Sequence, residues 1–145
     1  MRPLTQKKLR EEAAAFALVE SKYDEPDLYG VTDGKAVGTY LEHKFRSCLV
    51  EKYDFEAGNS ASGIDFPSLG VDMKVTSIKQ PQSSCPFKSA RQKIFGLVCG
   101  LLVFVYEKSD DHNARTGRLD IKRTIYVEDD LQRTPMATSI HTRHQ

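Results

Sequence analysis

Asp65-Phe66-Pro67-Ser68-Leu69-Gly70-Val71-Asp72-Met73-Lys74 sets two acids on either side of a Pro/Gly turn and ends in Asp-x-Lys. Pro67 and Gly70 bracket a four-residue loop of the kind that closes a β-hairpin. Centring the turn between Ser68 and Leu69 pairs Asp65 with Asp72. Directly opposed residues of an antiparallel ladder share a face, with Cβ atoms roughly 5 Å apart, and Lys74 lies two residues further along that face. The opposite face receives Ile64, Phe66, Val71, Met73 and Val75. The spacing therefore predicts an apolar core face and a second face carrying acid, acid, base and Thr76. Two carboxylates so close repel unless a cation lies between them, and hard oxygen ligands suit Mg²⁺ or Mn²⁺. The alternative is an exposed hairpin whose solvent face is simply charged.

A chain of 145 residues fits one domain with a single core. Its net charge of +1 excludes a globally basic nucleic-acid binder, so any such affinity has to come from a local cluster. Three cysteines, Cys48, Cys85 and Cys99, without a CxxC pair favour reduced thiols over a disulfide framework or a zinc module. The N-terminal residues lack a signal-peptide core, and the longest apolar run, residues 97–106, is about half a membrane span. The expectation is a soluble, cytoplasmic protein with no membrane partner.

Outward from the hairpin, Thr5 is placed to cap a helix running to about Lys22, with Leu9, Ala13, Phe16 and Glu20 at helical spacing. Residues 23–34 read as a polar loop. Val37, Tyr40, Leu41, Phe45, Cys48 and Leu49 then recur on one helical stripe. Glu42 falls about 100° round that helix from Leu41, at the stripe's edge, from where it could reach toward the carboxylates. The competing reading of Glu42 is a solvated partner of Arg46 one turn on. Residues 77–84 read as a polar loop. Ser83 or Ser84 can cap a third helix with Pro86 in its first turn and an end near Gly96. Residues 97–106 read as a strand buried on both faces, following a helix as in a βαβ unit. Residues 107–118 read as a charged surface loop and residues 119–127 as a strand nearer the sheet edge. Residues 129–145 lack apolar periodicity and read as a disordered tail, leaving residues 1–128 as the folded core.

Charge is uneven along this order. Lys74, Lys79, Lys88, Arg91 and Lys93 occur in a stretch with no Asp or Glu until Glu107, interleaved with Thr76, Ser77, Gln80, Gln82, Ser83 and Ser84. That mixture binds backbone phosphates, and a helix starting near Ser84 would add its amide donors.

Gly63-Ile64-Asp65, the short turn, Asp72-Met73-Lys74 and the upstream helical Glu42 resemble the active site of the PD-(D/E)xK nuclease superfamily. The longer run Gly58-Asn59-Ser60-Ala61-Ser62-Gly63-Ile64-Asp65-Phe66-Pro67, continuing through Val75-Thr76-Ser77 to Gln82-Ser83-Ser84-Cys85-Pro86-Phe87-Lys88-Ser89-Ala90-Arg91-Gln92-Lys93, is similar to bacterial type II restriction endonucleases. Over residues 3–127 the order helix, helix, hairpin, helix, strand agrees with that superfamily's core. The resemblance implies an α/β, restriction-endonuclease-like fold: a central mixed sheet with an antiparallel hairpin, flanked by helices. It implies a Mg²⁺-dependent DNA endonuclease, with Mn²⁺ a substitute, in which Asp65, Asp72, the Met73 carbonyl and Glu42 hold the metal. Glu42, Asp65, Asp72 and Lys74 are then the catalytic set. Ser77, Gln80, Gln82, Ser84, Lys88 and Arg91 are the expected contacts to double-stranded DNA, and one site per strand suggests a homodimer. The acids stand closer together than is common in the superfamily, and Ile64 precedes the first acid where the motif's name has proline. Enzymes of this type usually continue well beyond a catalytic core, which leaves three other readings open. These are a truncated enzyme, a repair or mobile-element nuclease with the same core, and a DNA-binding remnant that cuts nothing.

Overall fold

The computed structural model describes residues 2–56, 64–79, 100–128 and 140–143, the last four as backbone only. The expected third helix and the candidate contacts Gln80, Gln82, Ser84, Lys88 and Arg91 lie outside the described residues.

Helix α1 spans Gln6–Glu20 and starts where its cap predicts, with the Thr5 side chain accepting from the Lys8 N–H. It buries Leu9, Ala13, Phe16, Ala17 and Glu20. Helix α2, Gly34–Val50, is capped by Asp33 and buries Val37, Gly38, Leu41, Phe45 and Leu49. Cys48, expected on that stripe, is exposed. It lies at the margin of a stripe that Phe45 and Leu49 already fill. The residues between the helices are more ordered than a polar loop. Asp24–Glu25 forms the short strand β2, which follows β1 at Arg2–Pro3, and Pro26–Leu28 makes a 3₁₀ turn.

Strand β3 at Tyr53–Asp54 pairs with β1, and the larger sheet is built from β2, β4 (Val71–Ser77), β5 (Gly100–Asp111), β6 (Thr116–Val127) and β7 (Ile140–Arg143). Its order is β2-β6-β5-β4, with β7 also on β6. Strands β4 and β5 are parallel, while β5 and β6 are antiparallel, so the architecture of the described residues is α/β, with a mixed sheet and two α-helices.

Three expectations change here. Residues 107–118, read as a charged loop, form the outer half of a long β5–β6 hairpin that turns at residues 112–115. Charges on both strands hide the alternation, because residues 107–116 are exposed or half-buried and need no apolar face. Strand β6 is not left bare at its outer edge, because β2 covers its start and β7 its end. Ile140–Arg143 are thus placed in the sheet, although they fall in the segment read as a disordered tail.

The helices cover one face of the sheet. Phe16, Phe45 and Phe104 meet there in a triangle with ring centroids 5.2–5.8 Å apart, a spacing typical of tilted and edge-on aromatic packing. The other face of the central strands buries Leu101, Val103, Val105, Ile125 and Val127 as a second cluster, so β5 is apolar on both faces as its sequence suggests.

Candidate active site

The two acids are positioned by the turn they flank. Phe66 and Val71 exchange both backbone hydrogen bonds, at 2.9 and 3.2 Å, which is the register that opposes Asp65 to Asp72. Among the described residues the hairpin shows this one antiparallel bridge: Pro67–Leu69 winds into a 3₁₀ turn, and Gly70 takes a left-handed conformation at φ 66°. Two ties hold the turn in place. Gln6 at the start of α1 donates to the Leu69 carbonyl at 2.7 Å, and Gly100 donates to the Gly70 carbonyl at 2.7 Å.

Asp65 binds back onto β4. Its backbone N–H donates to Asp72 Oδ1 at 3.3 Å, and its own Oδ2 accepts the Met73 N–H at 3.0 Å. Along a strand the N–H and C=O of one residue point to the same side, so the Met73 carbonyl also faces this outer edge of β4. Lys74 Nζ stands 3.7 Å from Asp72 Oδ2. Asp65, Asp72, Lys74 and the Met73 carbonyl are therefore gathered as the spacing predicts. The polar face is only partly solvated, however: Asp72 is 4% and Thr76 7% exposed, while the Lys74 side chain between them is 38% exposed.

Glu42 reaches this cluster from α2. Its carboxyl is pushed up to about 7, first by burial and then by the Asp65 charge; Arg46 and Lys74 oppose the shift and Asp72 adds to it. Arg46 is not the solvated partner of Glu42: its Nη2 lies 2.6 Å from Asp65 Oδ1. The sequence offered a signal for this residue, since Arg46 lies one turn beyond Glu42 on the same side of α2. Burial, with the Asp72 carboxylate, raises Asp65 above its usual range despite that guanidinium.

The donor set suits a hard divalent cation in chemistry: carboxylate oxygens, a strand carbonyl and a net deficit of positive charge. Among the described residues, no three Asp, Glu, His or Cys side chains close into a ready ligand cage. The fit thus lies with Asp65, Asp72 and the Met73 carbonyl, with Glu42 behind them. Ser77 ends β4, accepts the Lys79 N–H at 3.1 Å, and borders a pocket of about 410 Å³ that Lys79, Tyr106, Lys108 and His112 also line. Among the described residues, no helix is long and apolar enough to cross a membrane.

The family described as type II restriction enzyme NspV matches residues 3–143. Type II restriction enzyme NspV of Nostoc sp. (strain ATCC 29411 / PCC 7524) is 68% identical over 124 residues, covering 86% of this chain and 56% of that enzyme. The chain thus spans little more than half the length of that relative. No solved structure matches. A family match running from Pro3 to Arg143 leads to the conclusion that the chain belongs to the NspV family of type II restriction enzymes.

Proposed function

We propose that this chain carries the catalytic core of a Mg²⁺-dependent, site-specific endonuclease that hydrolyses phosphodiester bonds in double-stranded DNA. The observation that carries the reading is the grouping of Asp65, Asp72 and Lys74 at the edge of β4, with Glu42 reaching in from α2. In this reading the core is a restriction-endonuclease-like fold over residues 1–128.

Asp65, Asp72 and the Met73 carbonyl would hold the metal, and Glu42 would complete its shell or orient a water. Mg²⁺ bound there supplies a Lewis acid for the phosphate and a more acidic bound water. Lys74, whose Nζ stands 3.7 Å from Asp72 Oδ2, would face the phosphate oxygens and offset their growing negative charge. Burial of Asp72 keeps water from competing for its oxygens.

Ser77 and the acid-free stretch beyond it, Gln80, Gln82, Ser84, Lys88 and Arg91, are assigned as DNA contacts; the support is their continuity with the catalytic strand. A homodimer would present one site to each strand of the duplex.

The test is cleavage of supercoiled plasmid and phage DNA in Mg²⁺ or EDTA. Discrete Mg²⁺-dependent bands are expected, with the rate reduced on the order of 10²-fold or more in Asp72→Asn and in Lys74→Ala. Metal-independent binding without cutting would instead identify a DNA-binding module.

A further inference from the structure

The proposed metal site has a cation in it already. Asp65 offers two oxygens: Oδ2 accepts the Met73 amide at 3.0 Å, and Oδ1 lies 2.6 Å from Arg46 Nη2. The Met73 amide is part of β4 and cannot leave without breaking the strand. Arg46 can: its guanidinium ends a long side chain that is 29% exposed and projects from α2. Of the two contacts on the Asp65 carboxylate, the one that an arriving metal can displace is therefore the guanidinium's.

Charge gives the same answer. Counted fully ionised, and among the described residues, Glu42, Asp65 and Asp72 set three negative charges against Arg46 and Lys74, a sum of −3 + 2 = −1, and the raised Glu42 carboxyl brings the metal-free cluster closer still to zero. With Arg46 in place the cluster is nearly neutral and attracts a divalent ion weakly. With Arg46 withdrawn it is −2 and matches the ion. A guanidinium and a divalent cation also repel strongly when they share one carboxylate oxygen in a partly buried site.

Building on the proposed metal-dependent nuclease, we infer that Arg46 is an exchangeable plug: it occupies Asp65 Oδ1 in the metal-free protein and must move off when a divalent cation binds. A planar guanidinium that is released beside the catalytic strand has a natural destination in a DNA phosphate, which it matches with two parallel hydrogen bonds. Phosphate and metal then help each other, since DNA draws Arg46 away from Asp65 and the metal drives it toward DNA. Linkage makes that assistance reciprocal. Arg46 is a positioning residue in this scheme, acting on metal occupancy through Asp65.

The experiment is a calorimetric titration of Mn²⁺ into the full chain without DNA, for the wild type, Arg46→Gln and Arg46→Lys. Each protein is first checked by thermal melting. Arg46→Gln should bind Mn²⁺ about tenfold more tightly than wild type, with Arg46→Lys between them, because a single-point ammonium holds Oδ1 less firmly than the fork. The tighter-binding Arg46→Gln should nevertheless cut DNA more slowly, a split that a merely structural residue would not produce. Equal or weaker Mn²⁺ binding by Arg46→Gln overturns the plug and leaves the metal site standing. If Arg46→Gln does not fold, the order of Arg46→Lys against wild type decides in the same way. Failure of all three proteins to bind Mn²⁺ removes the metal-site reading, and the plug with it.

Discussion

Glu42 shows how one side chain joins stability to the site. In the metal-free fold its carboxyl is held at about 7 instead of 4.5, mainly by burial, so the ionised form is uphill there by up to ~3 kcal/mol, less where solvent screens it. A raised acid binds more protons folded than unfolded. Its cost is therefore absent below pH 4.5, grows as pH rises through about 7, and is complete above that. Thermal melting without metal should show stability declining from pH 5 to 8, and Glu42→Gln should flatten that decline. An unchanged slope in Glu42→Gln would mean that other groups govern it. Asp65 and Asp72 were legible because the alternation of a strand and the length of a turn set which residues oppose each other. The Arg46–Asp65 pair was not legible, since a helix and a turn far apart in sequence meet only after packing.

Helix α2 is the element on which the site depends. Its stripe of Val37, Leu41, Phe45 and Leu49 is buried against the sheet, which leaves Glu42 and Arg46 at the margin facing β4. Phe45 is fully buried and its ring meets Phe16 and Phe104 at 5.2 and 5.3 Å. Phe45→Ala should destabilise the protein by about 3–5 kcal/mol through lost burial and the cavity left behind. Chemical denaturation measures that loss; a change under 1 kcal/mol would mean the triangle collapses freely. The 3.6-residue period made both helices readable, and continuous apolar character made the inner half of β5 readable. The outer hairpin was misread as a loop because its strands bury little, so charge replaces the alternation by which strands are recognised. Strand β2 was missed for a different reason. It is two residues long and exists because β6 offers it an edge, with Leu28 packed so tightly on Gly117 that an added Cβ would lie 2.8 Å from its side chain.

For the whole molecule, three carboxylates against two cations make the metal-free site a weak point of the fold. A ligand bound only by the folded state stabilises it by mass action, about 2.7 kcal/mol at a hundredfold excess over Kd. At that excess Mg²⁺ should accordingly raise Tm by roughly 5–11 °C relative to EDTA in a domain of this size. The rise should vanish in Asp65→Asn; a rise that persists there would locate the ion elsewhere. The sequence by itself determined the two helices and the Thr5 cap of the first, the apolar central strand, and the register that opposes Asp65 to Asp72. Each of these follows from local periodicity or turn length, which operate over a few residues. Only the tertiary structure decided that β4 runs parallel to β5 at the sheet edge, that β2 and β7 cover β6, that Asp72 is buried, and that Arg46 sits on Asp65. These depend on which distant segments share the burial of the same apolar surface, and no local pattern along the chain encodes that choice.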